Sequence, residues 1–425
     1  MLRIVETGEG REAGEGAVTL DELALEGARR MLAAALDEEV AAYIERHQTE
    51  VDDYGHRLVV RNGRAESRKV TCGAGTMEVR APRVNDKRVD ESGRRQRFTS
   101  AIMPPYMRRS PKVAEVLPVL YLRGLSTNDF REALPILLGE DAAGLSATNI
   151  TRLTAVWEQE YRQFRNHSLA GRDYVYVWAD GVHFNVRLED DRLCTLVLIG
   201  ARPDGSKELL AVEDGYREST ESWKELLRDL KRRGMQAPVV AVGDGALGFW
   251  AAVRDVWPET REQRDWCHKM VNVLDKLPKR LQGKAKRILR DAMYAETKDE
   301  ASEHLDTFEA TFSPKYDKAV KCLTKDRNSL LTFFDFPAEH WKHLRTSNPI
   351  ESAFSTVRLR QRVTKGAGTR TKALTMAFKL LDMAQARWRR LNGPHILPLV
   401  RAGATFVDGA LLERDNKPDR KDEAA

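Results

Sequence analysis

Asp180 in VWADGVHF, Asp244 in VAVGDGALGFW and Glu351 in TSNPIESAF are the residues of this chain whose types and settings could do chemistry together. Each aspartate follows an apolar, β-branched run and precedes a glycine, which places it at or near a strand end. Glu351 opens a predicted helix whose next turns are rich in arginine. Two carboxylates on neighbouring strands repel each other unless a cation lies between them. Magnesium takes oxygen ligands, and two such ions about 3.5–4 Å apart activate a nucleophile and stabilise a leaving oxygen. Two strand-borne aspartates and a helix-borne glutamate are therefore the parts of a two-metal phosphoryl-transfer site.

Each residue also has a plainer reading. Asp-Gly is a common turn at a strand end. In Asn348-Pro349-Ile350-Glu351, Asn348 can cap the helix, Pro349 can be its first residue, and Glu351 then closes a capping box from the third position. Against the plainer reading, Arg358 and Arg362 fall on the Glu351 face, while Ile350, Phe354 and Val357 form a core stripe on another. A carboxylate followed by arginines suits a metal beside a phosphate backbone, and Arg360, Lys365, Arg370 and Lys372 extend the basic surface. Asp265 and His268 make an Asp-x-x-His pair that shares a face in a helix. Cys267 lies between them, but no second Cys or His pair stands nearby to complete a zinc site. Trp250, Trp257 and Trp266 surround this region and serve either as core or as base-stacking groups.

The elements that must position these residues follow from composition and pattern. At 425 residues the chain exceeds one ordinary core. No apolar run approaches a membrane span, the first residues lack a signal-peptide pattern, and four scattered cysteines without a CxxC pair fit a reducing, cytoplasmic and nucleoid-associated setting. The net charge of +6 is uneven. Residues 57–98 hold twelve basic against five acidic residues, and residues 345–390 hold eleven against two, so the remainder is acidic. Two basic blocks on an acidic protein point to a polyanion partner.

Along the chain, residues 1–18 are Gly- and Glu-rich and expected to be disordered, as is the charged C-terminal tail. Thr19 and Glu22 predict a capping box for a helix reaching His47, with Leu20, Leu23, Ala24, Met31, Leu32, Leu36, Val40 and Ile44 as its apolar positions. Next comes a small β-rich module, with a hairpin expected at Asn62-Gly63 and a second turn at Gly73 and Gly75. Its candidates for phosphate contact are Arg57, Arg61, Arg64, Arg68, Lys69, Arg80 and Arg83. Residues 112–162 read as three helices, interrupted at Gly124 with a cap at Ser126 or Thr127, and restarted at Ser146. That order suits either a helix-turn-helix, with Thr148, Asn149 and Arg152 facing DNA, or an ordinary bundle. Three strands, a helix, a strand and a helix then follow from residue 173, the order of a ribonuclease-H-like core with Asp180 on the first strand and Asp244 after the fourth. Residues 276–340 are helical and polar, an insertion separating Asp244 from Glu351.

Taken together, YGHRLVVRNG…APRV, WADGVHF, VGDGALGFWAAV, QRDWCHKMVNVLDKLPK and RTSNPIESAFSTVRLRQRVTKG make the chain resemble the Mutator-type transposases of bacterial insertion sequences, within the DDE transposase and integrase superfamily. The resemblance spans about residues 54–392. It implies that Asp180, Asp244 and Glu351 bind two Mg²⁺ or Mn²⁺ ions, and that Asp265 and His268 are the family's Cys/Asp-x-x-His signature near the scissile phosphate. After the arginines, where relatives often carry a shorter Phe-Pro segment, this chain reads VTKGAGTRTKAL. The implied fold is multidomain α+β, with a ribonuclease-H-like α/β catalytic core on a mixed five-stranded sheet, an all-helical insertion and N-terminal DNA-binding modules. The expected divisions are a tail and helix over 1–50, a basic β-rich module over 51–110 and a helix-turn-helix-like region over 111–165. The core follows over 166–275, the insertion over 276–340, the rest of the core with the glutamate helix over 341–392 and a tail over 393–425. The implied activity is binding of terminal inverted repeats, strand cleavage that leaves a 3′-hydroxyl, and attack of that hydroxyl on target DNA. Joining both ends implies a homodimer or larger synaptic complex on double-stranded DNA, with no membrane and no small-molecule substrate. Two alternatives remain: a domesticated, non-catalytic DNA-binding regulator, and a ribonuclease-H-like nuclease without joining activity.

Overall fold

The computed structural model describes residues 19–122, 125, 127–138, 147–184, 193–215, 219–245, 247–364 and 369–412. The expected disordered tails, the interruption at Gly124, the caps at Ser126 and Ser146, and Lys365 all lie outside the described residues. The chain divides into two compact units, Met1–Thr151 and Arg152–Ala425.

The N-terminal unit begins with helix α1 (Leu20–Arg46), and the expected capping box between Thr19 and Glu22 is present. Its apolar positions are used unevenly. Leu36 and Val40 are buried, and Leu25, Ala28 and Leu32 pack beside them, but Leu20, Leu23 and Met31 are exposed. The buried stripe thus runs through Leu25, Ala28 and Leu32 rather than through Leu20, Leu23 and Met31, because the short β-module fills only one side of the helix. Four strands follow: β1 (Val59–Arg64), β2 (Arg68–Cys72), β3 (Gly75–Val79) and β4 (Pro82–Asp86). β2 and β3 form the hairpin expected at Gly73 and Gly75. The hairpin expected at Asn62-Gly63 does not form. Those residues lie inside β1, which pairs with β4, and the register shifts between Arg61 and Arg64. Gly63 takes a φ of 61°, so the signal that suits a hairpin turn serves a bulge instead. Helices α2 (Pro111–Leu122), α3 (Thr127–Leu138) and α4 (Ala147–Asn166) match the three expected helices, and the division between units falls within α4.

Asp86 at the end of β4 holds this module together. It is buried and accepts from the Tyr43 hydroxyl at 2.7 Å and from Arg88 Nη2 at 2.8 Å. The hydrogen bonds from Arg88 hold its carboxyl down at about 2 against the cost of burial. A depressed carboxylate contributes stability above its unfolded pKa and loses it as pH falls through the folded value, here from about 4 down to about 2. The shift corresponds to roughly 2 kcal/mol. All eight tryptophans lie at or beyond residue 157. Acid unfolding of this unit is therefore expected as a loss of circular dichroism without a tryptophan fluorescence change, and Arg88→Ala should move that loss to higher pH. An unchanged acid midpoint in the variant would remove Asp86 from this role.

The C-terminal unit is built on a mixed sheet of five strands: β5 (Tyr176–Phe184), β6 (Leu193–Ala201), β7 (Lys207–Gly215), β8 (Val240–Gly243) and β9 (Arg261–Arg264), in spatial order β7-β6-β5-β8-β9. The first three form an antiparallel meander, and β8 and β9 add in parallel beside β5. Helix α5 (Thr220–Arg232), capped by Ser219, and helix α6 (Leu247–Val256) are the crossovers that parallel pairing requires. Trp223, Leu227, Phe249 and Val253 from these helices, with Trp257 just past α6, pack onto Ala179, Leu196, Leu198 and Ala241. Trp257 and Trp266 are buried core residues, and Trp250 packs partly buried against the same cluster. β9 is a charged four-residue run, REQR, that no hydrophobic alternation marks.

After α7 (Trp266–Leu274) the polar stretch is helical as expected: α8 (Lys279–Tyr294), α9 (Lys298–Phe312), α10 (Asp317–Thr324), α11 (Arg327–Leu330) and α12 (Ala338–Leu344). The chain then returns to the sheet through α13 (Asn348–Thr364), which packs on β5, and α14 (Arg370–Gln385), which packs on β7. Ile350, Phe354 and Val357 are buried, the stripe that the spacing predicts. No helix among the described residues is long and apolar enough to cross a membrane.

Candidate active site

Three parallel strands set one row of acids. β5 and β8 pair Ala179 with Gly243, and β8 and β9 pair Gly243 with Arg264. The next residue along the chain is Asp180 within β5, Asp244 just past the end of β8 and Asp265 just past the end of β9. Neighbouring strands lie about 4.8 Å apart, so the register brings the three aspartates side by side. Gly245 has a φ of 78°, and a Cβ at that position would strike the buried Arg264 guanidinium. Arg264 is held by Asp326, 3.3 Å from its Nε, and Lys269 Nζ shares that carboxylate at 2.6 Å.

Asp180 and Asp244 are half-buried, and Asp180 Oδ1 accepts the Gly181 N–H at 2.8 Å. Asp265 differs from both. It is fully buried and caps α7 from outside the helix, its Oδ1 accepting the His268 N–H at 2.6 Å. Its Oδ2 accepts the backbone N–H of Ser347 and faces the Ser347 hydroxyl at 2.9 Å. Burial alone would push the Asp265 carboxyl up, but the bonds from His268 and Ser347 hold it below its ordinary range. The segment is pinned on both sides, since Asp265 N–H donates to Gly243 O at 2.8 Å and Trp266 N–H to Arg345 O at 2.9 Å.

Glu351 arrives from the other direction. The N–H groups of Ile350 and Glu351 both bond to Ser347 O, at 2.9 and 3.0 Å, so Ser347 takes the cap position. The helix therefore starts one residue earlier than the expected cap at Asn348, and Glu351 stands fourth. Pro349 fits the second position as well as the first, because neither N–H has an intrahelical acceptor. Glu351 thus closes no capping box, and the Ser347 N–H that such a box needs is already bonded to Asp265. Glu351 Oε1 lies 3.2 Å from the Ser347 hydroxyl, which can donate to Asp265 or to Glu351 but not fully to both.

His268 closes the group. Its Nδ1 is 3.2 Å from Asp265 Oδ1 and its Nε2 is 3.6 Å from Glu351 Oε1. Contact with Asp265 and the charges of Asp265, Glu351 and Asp244 push its pKa up to about 9 despite burial. The ligand atoms of Asp265, His268 and Glu351 all lie within 4.8 Å of one another. Burial pushes the neighbouring Cys267 thiol up, helped by the charges of Asp265 and Glu351, so the thiolate that metals prefer is disfavoured. Ser347 is the member that residue patterns did not single out. Its signal was a serine immediately before Asn-Pro at a helix start.

The candidate phosphate contacts are dispersed. In the N-terminal unit, Arg57, Lys69, Arg80 and Arg83 are exposed, whereas Arg61 and Arg64 share Asp37 at 2.6 and 2.7 Å. Arg68 donates to the carbonyls of Met103 and Pro104. The side chains of Thr148, Asn149, Arg360 and Arg362 lie outside the described residues, while Arg152 and Arg358 are exposed. Arg370 is tied to Asp214 at 2.7 Å.

Comparison with known proteins shows the family. Residues 7–390 match the model of the family described as Transposase, Mutator family. The chain is 58% identical over 302 residues to the transposase for insertion sequence element IS6120 of Mycolicibacterium smegmatis, covering 71% of this chain and 93% of that protein. It is 47% identical over 287 residues to the transposase for insertion sequence element IST2 of Acidithiobacillus ferrooxidans, covering 66% and 95%. Similarity extends to the transposase for insertion sequence element IS256 in transposon Tn4001 of Staphylococcus aureus, 25% identical over 345 residues, covering 78% and 83%.

Proposed function

This chain belongs to the Mutator family of transposases, and from that membership we propose that it cleaves DNA at the ends of an insertion sequence and joins the freed strand to target DNA. The observations that support the reading are the parallel register that pairs Ala179 with Gly243, the residues just before Asp180 and Asp244, and the cluster of Asp265, His268 and Glu351 beside the end of β9. The strand order, with an antiparallel meander and two added parallel strands, supports a ribonuclease-H-like core interrupted by the helical segment.

Asp180, Asp244 and Glu351 would hold two divalent cations. Three carboxylates form a hard oxygen donor set that suits Mg²⁺ or Mn²⁺. Glu351 has contacts at Oε1 and no partner at Oε2 among the described residues, which leaves it able to coordinate. Bound there, the ions would supply Lewis-acid polarisation of a phosphate and activation of a hydroxyl nucleophile. Asp265 does not compete for this role. Its oxygens are occupied by Ser347 and His268, and it positions the helix that carries Glu351. His268, held between Asp265 and Glu351, would orient the glutamate and place an imidazole beside it.

The N-terminal unit and the exposed Arg358 on α13 would bind the element ends, with base reading assigned to the start of α4 and phosphate contact to Arg57, Arg80, Arg83, Arg152 and Arg358. Recognition of inverted repeats and assembly of a two-ended complex belong to the same reading. The test uses labelled duplexes that carry the element's own end, either intact or pre-cut to expose the 3′-hydroxyl, with and without chelator. Both substrates are expected to yield joined product with Mg²⁺ or Mn²⁺ and none with EDTA. Hydrolysis without joining of the pre-cut substrate would favour a nuclease. Binding without any cutting would favour a DNA-binding regulator.

A further inference from the structure

Helix α8 in the helical segment carries a charge pattern that its own fold does not explain. Six of its sixteen residues are basic and exposed: Lys279, Arg280, Lys284, Lys286, Arg287 and Arg290, against one acid, Asp291. Ala285, Leu289, Ala292 and Met293 form the buried side, so the basic residues occupy the opposite face. Among the described residues none of the six has an ion-pair partner. Basic residues of α5 in the same unit, by contrast, are paired: Arg228 meets Asp255, Arg232 meets Asp229 and Lys224 lies 3.8 Å from Asp255.

The placement also runs against helix stability. Lys279 and Arg280 sit in the first turn, where the macrodipole favours acids, no side chain caps that end, and Asp291 sits in the last turn. Gly283 lies mid-helix on the exposed side with open space where a Cβ would be, a position where alanine would stabilise the helix. Gly283, Lys286, Arg287, Arg290, Asp291 and Tyr294 line one wall of an open groove. The α9 side contributes Glu296, Glu300 and His304. Glu300 is engaged in capping, since it accepts the Glu296 N–H at 2.9 Å while Thr297 caps Glu300. Like charges crowded on three turns at a cost in helix stability are accounted for by a polyanion that neutralises them, and a missing Cβ lets a backbone approach closely.

Tyr294 on the groove wall is linked through Arg345 to the segment that carries Asp265. The Tyr294 ring lies 5.2 Å from the Arg345 guanidinium, and Arg345 O accepts the N–H of Trp266, the residue after Asp265. We propose that the basic face of α8 binds the phosphate backbone of the DNA duplex running out from the scissile phosphate. This inference rests on the transposase reading above and adds a DNA-contacting surface to it.

The experiment measures affinity of the full chain for a labelled element-end duplex and for an unrelated duplex of equal length, across a salt series. The variants are Lys286→Ala/Arg287→Ala/Arg290→Ala and the charge-keeping Lys286→Arg/Arg287→Lys/Arg290→Lys. Each phosphate contact contributes about 0.9 to the slope of log affinity against log salt. The alanine variant is expected to lose about 2–3 in that slope and at least tenfold in affinity on both duplexes, at unchanged melting temperature. The charge-keeping variant should retain the wild-type slope. An alanine variant that melts normally and keeps wild-type slope and affinity overturns the inference alone. A wild type with no affinity for either duplex overturns both this inference and the reading on which it rests.

Discussion

Glu351→Gln is expected to bind element-end DNA as the wild type does and to cut it about 10³-fold more slowly or worse, with Mg²⁺ or Mn²⁺ alike. Glutamine has the shape of glutamate and keeps an acceptor for the Ser347 hydroxyl, so α13 should start where it does now and the melting temperature should hold. What disappears is the charge. A metal-borne contribution of several kcal/mol to transition-state stabilisation converts to a rate change of that size. Equal cutting by both proteins would reduce Glu351 to a structural partner of Ser347 and His268. A variant that cuts slowly but also melts early would show that the glutamate supports the fold.

Asp265→Ala is expected to be the most destabilising single change in this region. The carboxylate is fully buried, caps α7 through His268, and takes both the N–H and the hydroxyl of Ser347. Its removal strands two buried N–H donors and the Ser347 hydroxyl, and takes the counter-charge from His268. Breaking a buried, hydrogen-bonded charge site of this kind costs about 3–5 kcal/mol. For a unit of this size that corresponds to a fall in melting temperature of roughly 5–9 °C. Asp265→Asn should lose less, since the amide keeps one acceptor oxygen. The two variants separate positioning from chemistry: Asp265→Asn protein that is folded at assay temperature should recover activity that Asp265→Ala protein lacks. An alanine variant melting within a degree of wild type would dismiss the node between α7 and α13.

The parts of the site differ in how far their own neighbourhoods reveal them. The strand end before Asp244 was legible because an apolar strand before a polar turn is a local pattern, written in VVAVGD, whereas the same signal misleads at Asp180-Gly181, which lies inside β5 and stays paired with β6 through Phe184. The core stripe of α13 was legible because its spacing is likewise local. The fifth strand was not, because REQR gains its place from parallel pairing with β8 rather than from an alternation of its own. Asn62-Gly63 shows the converse limit. A glycine with positive φ suits a hairpin turn and a bulge equally, and the pairing of β1 with β4 chose the bulge.

By itself the sequence determined the family, the kinds of chemistry its acids allow, most of the elements and the faces they bury, because each depends on residues within a few turns or strand lengths of one another. Tertiary structure alone decided which acids serve which end. Asp265 and Glu351 are both acids near helix starts. One is buried under three hydrogen bonds and the other keeps an oxygen open. That difference is set by Ser347, which lies 82 residues beyond Asp265 and meets it only after the helical segment closes. Burial and hydrogen-bond occupancy are properties of the surroundings in space, and no local spacing encodes a partner so far along the chain.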